Sequence, residues 1–252
     1  MTSFHAARGR TIWSMYVALL LIAPISTTLA HETGFDHSSF DHLLSHAVSN
    51  GLVDYSKFKN SPDFAAYLSS LEHATPESMA ANDRLAFWIN GYNALVIRNV
   101  LDNPGVKKPT DVPGFFDKKK FKIAGKSLTL NEIENDMIRK PFREPLIHFG
   151  LVCAALSCPP ILPRVYEPKT VRSMLAKNAK KYLASKQNRY DAGSGTLYLS
   201  KIFEWYRDDF GGDTGLRAFI RTYGTPQMRK ALAANPTLKI ASIEYDWTLN
   251  SK

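Results

Sequence analysis

Cysteine is scarce in this sequence, with only two among 252 residues. Two cysteines exclude a disulfide-dense scaffold and a zinc site with four cysteine ligands. Gly and Pro number 14 each and 22% of residues are charged, which excludes collagen-like repeats and a disordered chain. What is present is 44% hydrophobic and 12% aromatic residues. This is enough apolar material for one well-packed core, in a chain too short for several ordinary domains.

Acidic residues are absent from the first thirty positions. Arg8 and Arg10 precede an apolar stretch at residues 16–25, and Thr28-Leu29-Ala30 has the small-x-small form of a cleavage site. The apolar stretch is short against the roughly 20 residues of a membrane span. We therefore predict that residues 1–30 are a signal peptide, with an uncleaved anchor as the alternative.

The mature chain is then expected to be one globular domain, residues 31–252, in the periplasm or secreted, with no transmembrane span. Removing the signal leaves 30 basic against 23 acidic residues, a net charge of +7. The excess lies in Lys107-Lys108, Lys118-Lys119-Lys120, Lys122, Lys126 and the Lys169–Lys186 stretch. Such a surface attracts an anionic envelope component, and a solvated basic face is the alternative interpretation. No nucleic-acid motif accompanies the lysines, and the partner stays unknown.

Apolar periodicity predicts an α+β fold. Helices are expected at about residues 40–48, 62–71, 82–101, 168–183, 215–223 and 226–234. A hairpin is expected at 121–123 and 127–130, with further strands at about 146–153, 196–202 and 238–245. Thr129 and Glu132 match a capping box for a short helix to about Arg139. Because helices come first without a regular βαβ alternation, we expect a single domain with helices packed on a mainly antiparallel sheet.

The third predicted helix carries polar residues in an otherwise apolar run, namely Asn90, Tyr92 and Asn93. Asn90 and Asn93 lie on one face at i, i+3, and a buried amide without hydrogen-bond partners costs about 1–3 kcal/mol. Two interpretations stay open. The asparagines, with Tyr92, form the wall of a substrate-binding site, or they are structural clips that hold a neighbouring loop.

His148, Cys153 and Cys158 form a second group of interest. In an exported protein the default for two cysteines this close is a disulfide. The alternative is a free Cys158 nucleophile with His148 as its base. The two interpretations exclude each other in the resting protein, because a bonded sulfur is not a nucleophile.

Carboxylates for this site are expected from Glu134 and Asp209. Either could orient His148 or take a proton itself. A turn or helix cap before Gly211-Gly212 is the alternative for Asp209. No metal or cofactor is predicted: His42 and His46 are spaced i, i+4 but no third ligand is indicated.

Several blocks together resemble the family called domain of unknown function 547, over about residues 84–250. They are Ala86-Phe87-Trp88-Ile89-Asn90, Tyr92-Asn93-Ala94, Ile133-Glu134 with Arg139, His148-Phe149, Ser157-Cys158-Pro159-Pro160, Trp205-Tyr206 with Asp209-Phe210, and Tyr245-Asp246-Trp247 with Leu249-Asn250. The resemblance implies no particular reaction. Asn135 departs from the pattern, since the family often has histidine there, so an activity that uses this histidine would be lost or altered.

Two functions are compatible with these features. The first is a periplasmic hydrolase or transferase with Glu134, His148 and Cys158 as candidate catalytic residues and Asn90, Tyr92, Asn93 and Asp209 as candidate substrate-binding residues. A helix that carries polar residues, packed against a sheet that carries a histidine, is similar to the sites of papain-like and transglutaminase-like enzymes. This similarity is an analogy at the level of the fold only. The second is a non-catalytic envelope binding module that uses the basic surface. They differ in one geometric respect: the enzyme needs its polar residues in one pocket.

Overall fold

The computed structural model describes residues 1–3 and 34–252 of the chain. The features that predict a signal peptide, from Arg8 to Ala30, lie outside the described residues. Among the helices that are described, none is both long enough and apolar enough to cross a membrane.

The helices lie close to the predicted positions. The α-helices are α1 (Ser38–Ala47), α2 (Pro62–His73), α3 (Ala81–Leu101), α4 (Leu130–Glu132), α5 (Lys140–Phe142), α6 (Val171–Leu183), α7 (Ile202–Trp205), α8 (Gly212–Tyr223) and α9 (Pro226–Ala234). A π-helix, Ile133–Arg139, joins α4 to α5. Short 3-10 helices are Tyr55–Lys57, Pro76–Ser78, Pro109–Asp111 and Pro145–Phe149. The predicted capping box is present at the start of α4, where Thr129 and Glu132 each satisfy the other's backbone N–H.

The strands form three small sheets. They are β1 (Val48–Ser49), β2 (Leu52–Val53), β3 (Lys120–Ile123), β4 (Lys126–Thr129), β5 (Arg189–Asp191), β6 (Thr196–Ser200) and β7 (Lys239–Ile243). The pairs β1–β2, β3–β4 and β5–β6 are antiparallel, whereas β6–β7 is parallel. The α+β class is confirmed, with small sheets and abundant helix in place of one larger sheet.

The strand predicted at residues 146–153 is wrong. Residues 145–149 form a 3-10 helix that begins at Pro145, and an irregular segment follows it. Four consecutive side chains of this 3-10 helix are buried in the protein core, namely Leu146, Ile147, His148 and Phe149. A short apolar run that is buried on every side has no alternation of exposed and buried residues, so periodicity does not separate strand from helix there.

Helix α3 is the centre of the core. Every residue from Leu85 to Ile97 is buried, and the helix packs against α2, α6 and the π-helix. The turn of the β3–β4 hairpin rests on α2, where the Ala124 and Gly125 N–H groups donate to the Leu71 and Glu72 carbonyls. Ala124 and Gly125 have φ of +50° and +67°, as a two-residue hairpin turn requires.

The C-terminal segment after β7 returns across the molecule. The Leu156 and Ser157 N–H groups donate to the Thr248 and Asp246 carbonyls, and the Tyr55 hydroxyl donates to Asn250 Oδ1 at 2.6 Å. This return path brings the segment that carries Tyr245 and Trp247 beside the disulfide-forming loop described below.

Candidate functional site

A cavity of about 390 Å³ lies between α3, the π-helix, the 151–159 segment and the C-terminal segment. The described residues that line it are Tyr92, Phe116, Asp117, Asn131, Glu134, His148, Leu151, Val152, Cys153, Cys158, Pro159, Ile202, Trp205, Tyr206, Tyr245 and Trp247. The chain thus brings Glu134, His148 and Cys158 together with Tyr92 in one pocket. Asn90, which the enzyme hypothesis also places in that pocket, does not line it.

His148 is held by a hydrogen-bond network next to the cavity. The His148 side chain is 2% exposed, and its Nε2–H donates to Asp209 Oδ2 at 2.7 Å. A carboxylate only accepts, so this bond places the shared proton on Nε2. The ring also stacks on Tyr206, with 4.0 Å between centroids. Both contacts set the plane of the imidazole, and within the described residues Nδ1 has no hydrogen-bond partner.

Asp209 is held in turn by Arg139. The Arg139 Nε and Nη2 groups donate to Asp209 Oδ2 and Oδ1 at 2.7 and 3.0 Å. Arg139 also bonds Asn135 Oδ1, and its guanidinium lies 4.8 Å from the ring centroid of Tyr206. The hydrogen bond from His148, and next those from Arg139, hold the pKa of Asp209 well below its usual range. Asp209 is therefore an anion that accepts the His148 Nε2–H and two N–H groups of Arg139.

Glu134 projects from the π-helix and is 8% exposed. The Tyr92 hydroxyl donates to Glu134 Oε2 at 3.4 Å. Burial, with the adjacent Glu134 charge, raises the pKa of Tyr92 and of Tyr206 well above the usual range, so both phenols stay protonated. No Lys or Arg in the described part of the chain forms an ion pair with Glu134. A buried carboxylate without a cation is unusual, because burial of an isolated charge is costly.

Cys153 and Cys158 form a disulfide in the wall of the cavity, with 6.0 Å between their Cα atoms. The Tyr245 hydroxyl lies 3.1 Å from Cys153 Sγ and 3.3 Å from Cys158 Sγ, and the Cys153 N–H donates to Cys158 Sγ. The sequence left open a disulfide or a free Cys158 thiol, and the structure contains the disulfide. In this form Cys158 has no thiolate, so the prediction of Cys158 as a resting nucleophile does not hold for it.

The two asparagines of α3 do not line the cavity. Asn90 bonds both backbone groups of Tyr166, each at 2.9 Å. Asn93 donates to the Gly150 carbonyl at 2.9 Å and accepts from the Val152 N–H at 3.1 Å. Their amides are occupied by backbone partners, so the substrate-binding prediction for them gives way to the structural alternative. Asn99, which the sequence did not single out, donates to the Phe115 carbonyl in the same way.

Of the roles expected of Asp209, the structure favours the orientation of His148 over substrate binding. Asp209 does not line the cavity but borders a neighbouring hollow with Asn135 and Arg139. It positions His148 rather than binding substrate. Asn135 lies on this outer side and bonds Arg139, so three successive hydrogen bonds, through Arg139 and Asp209, separate it from His148.

The aromatic residues of the cavity were missed as site residues. Trp205, Tyr206, Tyr245 and Trp247 come from α7, the loop after it and the C-terminal segment. Their only signal in the sequence was their presence in the family-like blocks Trp205-Tyr206 and Tyr245-Asp246-Trp247. Nothing in local periodicity brings these two distant blocks to one cavity.

The fold and the site define an α+β protein in which a buried histidine, bonded to Asp209, and a buried carboxylate, Glu134, line one cavity. Residues 76–183 match the family model described as protein of unknown function, DUF547, so the family resemblance is confirmed. The match includes Glu134, His148 and the disulfide, and it ends before Trp205, Asp209 and Tyr245. No curated protein and no solved structure matches the chain.

Proposed function

We propose that the protein is an exported hydrolase or transferase whose acid–base groups are His148 and Glu134. The single observation that supports it is that the imidazole of His148, bonded to Asp209 at 2.7 Å, lines the same cavity as the buried carboxylate of Glu134. An imidazole oriented by a carboxylate is a common general base near neutral pH.

The chemistry follows from the protonation of each group. His148, with Nε2–H bonded to Asp209, has Nδ1 left to take a proton from water or from an acceptor hydroxyl. The imidazolium that forms is stabilised by the anionic Asp209. Glu134 supplies a second proton-transfer group in the lining of the same cavity. Because Cys158 is bonded to Cys153, the nucleophile in this form is the activated water or acceptor and not a thiol.

A binding module that uses the basic surface has weaker support. Several of its lysines already have acidic partners: Lys119 pairs with Asp102, Lys122 with Glu72 and Lys126 with Glu77. These pairs neutralise much of the charge of the hairpin and the loop before it. The lysines of the second basic stretch, Lys177, Lys180 and Lys181, lie on a different element, α6.

The test is turnover of a panel of nitrophenyl esters, glycosides and phosphates by the oxidised protein. We expect the wild type to turn over at least one class, and His148→Gln to lower that rate by about 10²-fold or more. His73→Gln is the matched control, because His73 is exposed at the end of α2 and far along the chain from the site. No turnover of any class, or an unchanged rate in His148→Gln, would reject the acid–base proposal.

A further inference from the structure

The charge of the cavity is opposite to that of the protein. The chain has 32 Lys and Arg residues against 23 Asp and Glu residues. Yet the described residues that line the cavity include Glu134 and Asp117 and no Lys or Arg. In a basic protein a cavity of this kind attracts cations locally, against the long-range field of the molecule.

Aromatic side chains make up much of the cavity wall. They are Tyr92, Phe116, Trp205, Tyr206, Tyr245 and Trp247. Trp205, Tyr245 and Trp247 form one continuous group, with ring centroids 4.7 to 5.8 Å apart. Trp205 is 47% exposed, unusual for so large an apolar side chain. An exposed aromatic group at a cavity marks a binding surface more often than a fold requirement.

Among the described residues, no Lys or Arg side chain forms an ion pair with the buried carboxylate of Glu134. The hydrogen bond to Asp209, and to a smaller extent the charge of Glu134, raise the pKa of Arg139. The Arg139 guanidinium is nevertheless bonded to Asp209 and Asn135 and lies against the ring of Tyr206. The hydroxyl of Tyr92 is a neutral donor and supplies no compensating charge. A ligand with a positive charge would therefore complete the electrostatics of the site.

We propose that the cavity binds a ligand with an alkylammonium group, which the aromatic rings surround and the Glu134 carboxylate neutralises. Aromatic faces attract quaternary and alkylated ammonium groups through the ring quadrupole, and this attraction strengthens when water is excluded. The cavity volume of about 390 Å³ suits a small organic cation. The proposal names the substrate class of the proposed enzyme and rests on that function only in calling the ligand a substrate.

The experiment measures binding without turnover. Choline is titrated into the full-length mature protein at 0.15 M salt, followed by calorimetry and by the fluorescence of the site tryptophans, alongside its neutral isostere 3,3-dimethyl-1-butanol. We expect choline to bind about 10-fold or more tightly than the isostere. Both compounds pack against the rings, but only the cation is attracted by the ring quadrupoles and by the Glu134 carboxylate. Equal binding of the two, or no binding of choline, would overturn the proposal.

Variants separate this proposal from the catalytic one. Glu134→Gln and Trp205→Leu should each weaken choline binding by about 10-fold, whereas the exposed Glu167→Gln should leave it unchanged. Asp209→Asn, whose side chain lies outside the cavity, should retain choline binding even where it lowers turnover. Turnover without choline binding would thus refute the ligand class alone, and choline binding without turnover would refute the catalytic function alone. Circular dichroism confirms that each variant is folded, and unchanged binding in both Glu134→Gln and Trp205→Leu overturns the proposal.

Discussion

At the scale of single residues, Asp209 acts through His148. Its carboxylate lies outside the cavity, and its partners are the His148 imidazole and the Arg139 guanidinium. The role of such a residue is to select the tautomer and orientation of the imidazole. Replacing Asp209 should therefore slow the chemical step more than it weakens substrate binding.

Asp209→Asn tests this role. An amide can donate its own N–H to Nε2, which favours the opposite tautomer and removes the charge that stabilises the imidazolium. We expect kcat for a nitrophenyl substrate of the wild type to fall by about 10²-fold or more with little change in KM. Asp208→Asn is the control, because Asp208 is exposed and adjacent. An equal loss in both variants would contradict a specific role for Asp209.

His37, far from the cavity, predicts a pH dependence of stability. It is buried, its Nδ1 bonds the Tyr67 hydroxyl at 2.7 Å, and burial lowers its pKa from 6.5 to about 4. Between these values the unfolded chain binds a proton that the folded chain does not. The free energy of unfolding should therefore decrease as the pH falls from about 6.5 to 4, by up to about 3 kcal/mol.

Urea unfolding across this pH range measures the effect. His37→Gln should flatten the decrease, because glutamine does not titrate, while the exposed His73→Gln should keep the wild-type slope. The carboxyl of Asp209, whose pKa is lowered, loses its contribution only at more acidic pH. A slope that persists unchanged in His37→Gln would show that other groups cause it.

At the scale of elements, α3 holds the site through its asparagines. Asn93 bonds the segment from Gly150 to Val152, which begins two positions after His148 and ends just before Cys153 of the disulfide. Asn90 ties Tyr166 in a segment that does not line the cavity. The two side chains thus make the same kind of contact to different loops, and they form a matched pair for mutation.

Asn93→Ala and Asn90→Ala should cost similar amounts of stability. Each leaves a buried backbone carbonyl and N–H without partners, so the free energy of unfolding should fall by about 2–4 kcal/mol. Only Asn93→Ala should also lower the turnover per folded molecule, because it frees the segment beside His148. Equal turnover in the two folded variants would show that the Gly150–Val152 segment does not position the site.

The disulfide closes a short loop within the same segment. Five positions separate Cys153 from Cys158, and the chain-entropy relation gives about 2 kcal/mol of stabilisation for such a loop. The double variant Cys153→Ser, Cys158→Ser should be less stable by about that amount. Thiol titration of the denatured, unreduced protein should find no free thiol, and two free thiols would reopen the thiol-nucleophile alternative.

At the scale of the whole molecule, export is a prediction on which the formation of the disulfide depends. A chain cleaved after Ala30 begins at His31 and has lost Arg8 and Arg10. Mass spectrometry of periplasmic or secreted material should show a mature protein that starts at His31. A protein that starts at Met1 in the membrane fraction would show that the apolar stretch is an uncleaved anchor.

Much of the element structure followed from local patterns. The capping box Thr129/Glu132, the hairpin turn Ala124-Gly125 and the apolar helix α3 were all predictable, because each rests on contacts within a few residues. The segment 145–149 was not, since a fully buried run has no periodicity to distinguish strand from helix. Pro145 is typical of the first position of a helical turn, whereas the apolar run after it is typical of a strand, and the apolar run led to the strand prediction.

Local patterns were enough to predict the α+β class, the approximate positions of the longer helices, and the candidates Glu134, His148 and Tyr92. Packing was needed to show that Asn90 and Asn93 bond backbone groups, that Asp209 bonds His148, and that Trp205, Tyr245 and Trp247 meet at one cavity. The physical reason is the range of the interactions. Helix caps and turns depend on neighbours in the chain, whereas the His148–Asp209 contact spans 61 positions and the Cys158–Tyr245 contact spans 87. Such contacts exist only after the core around α3 has packed.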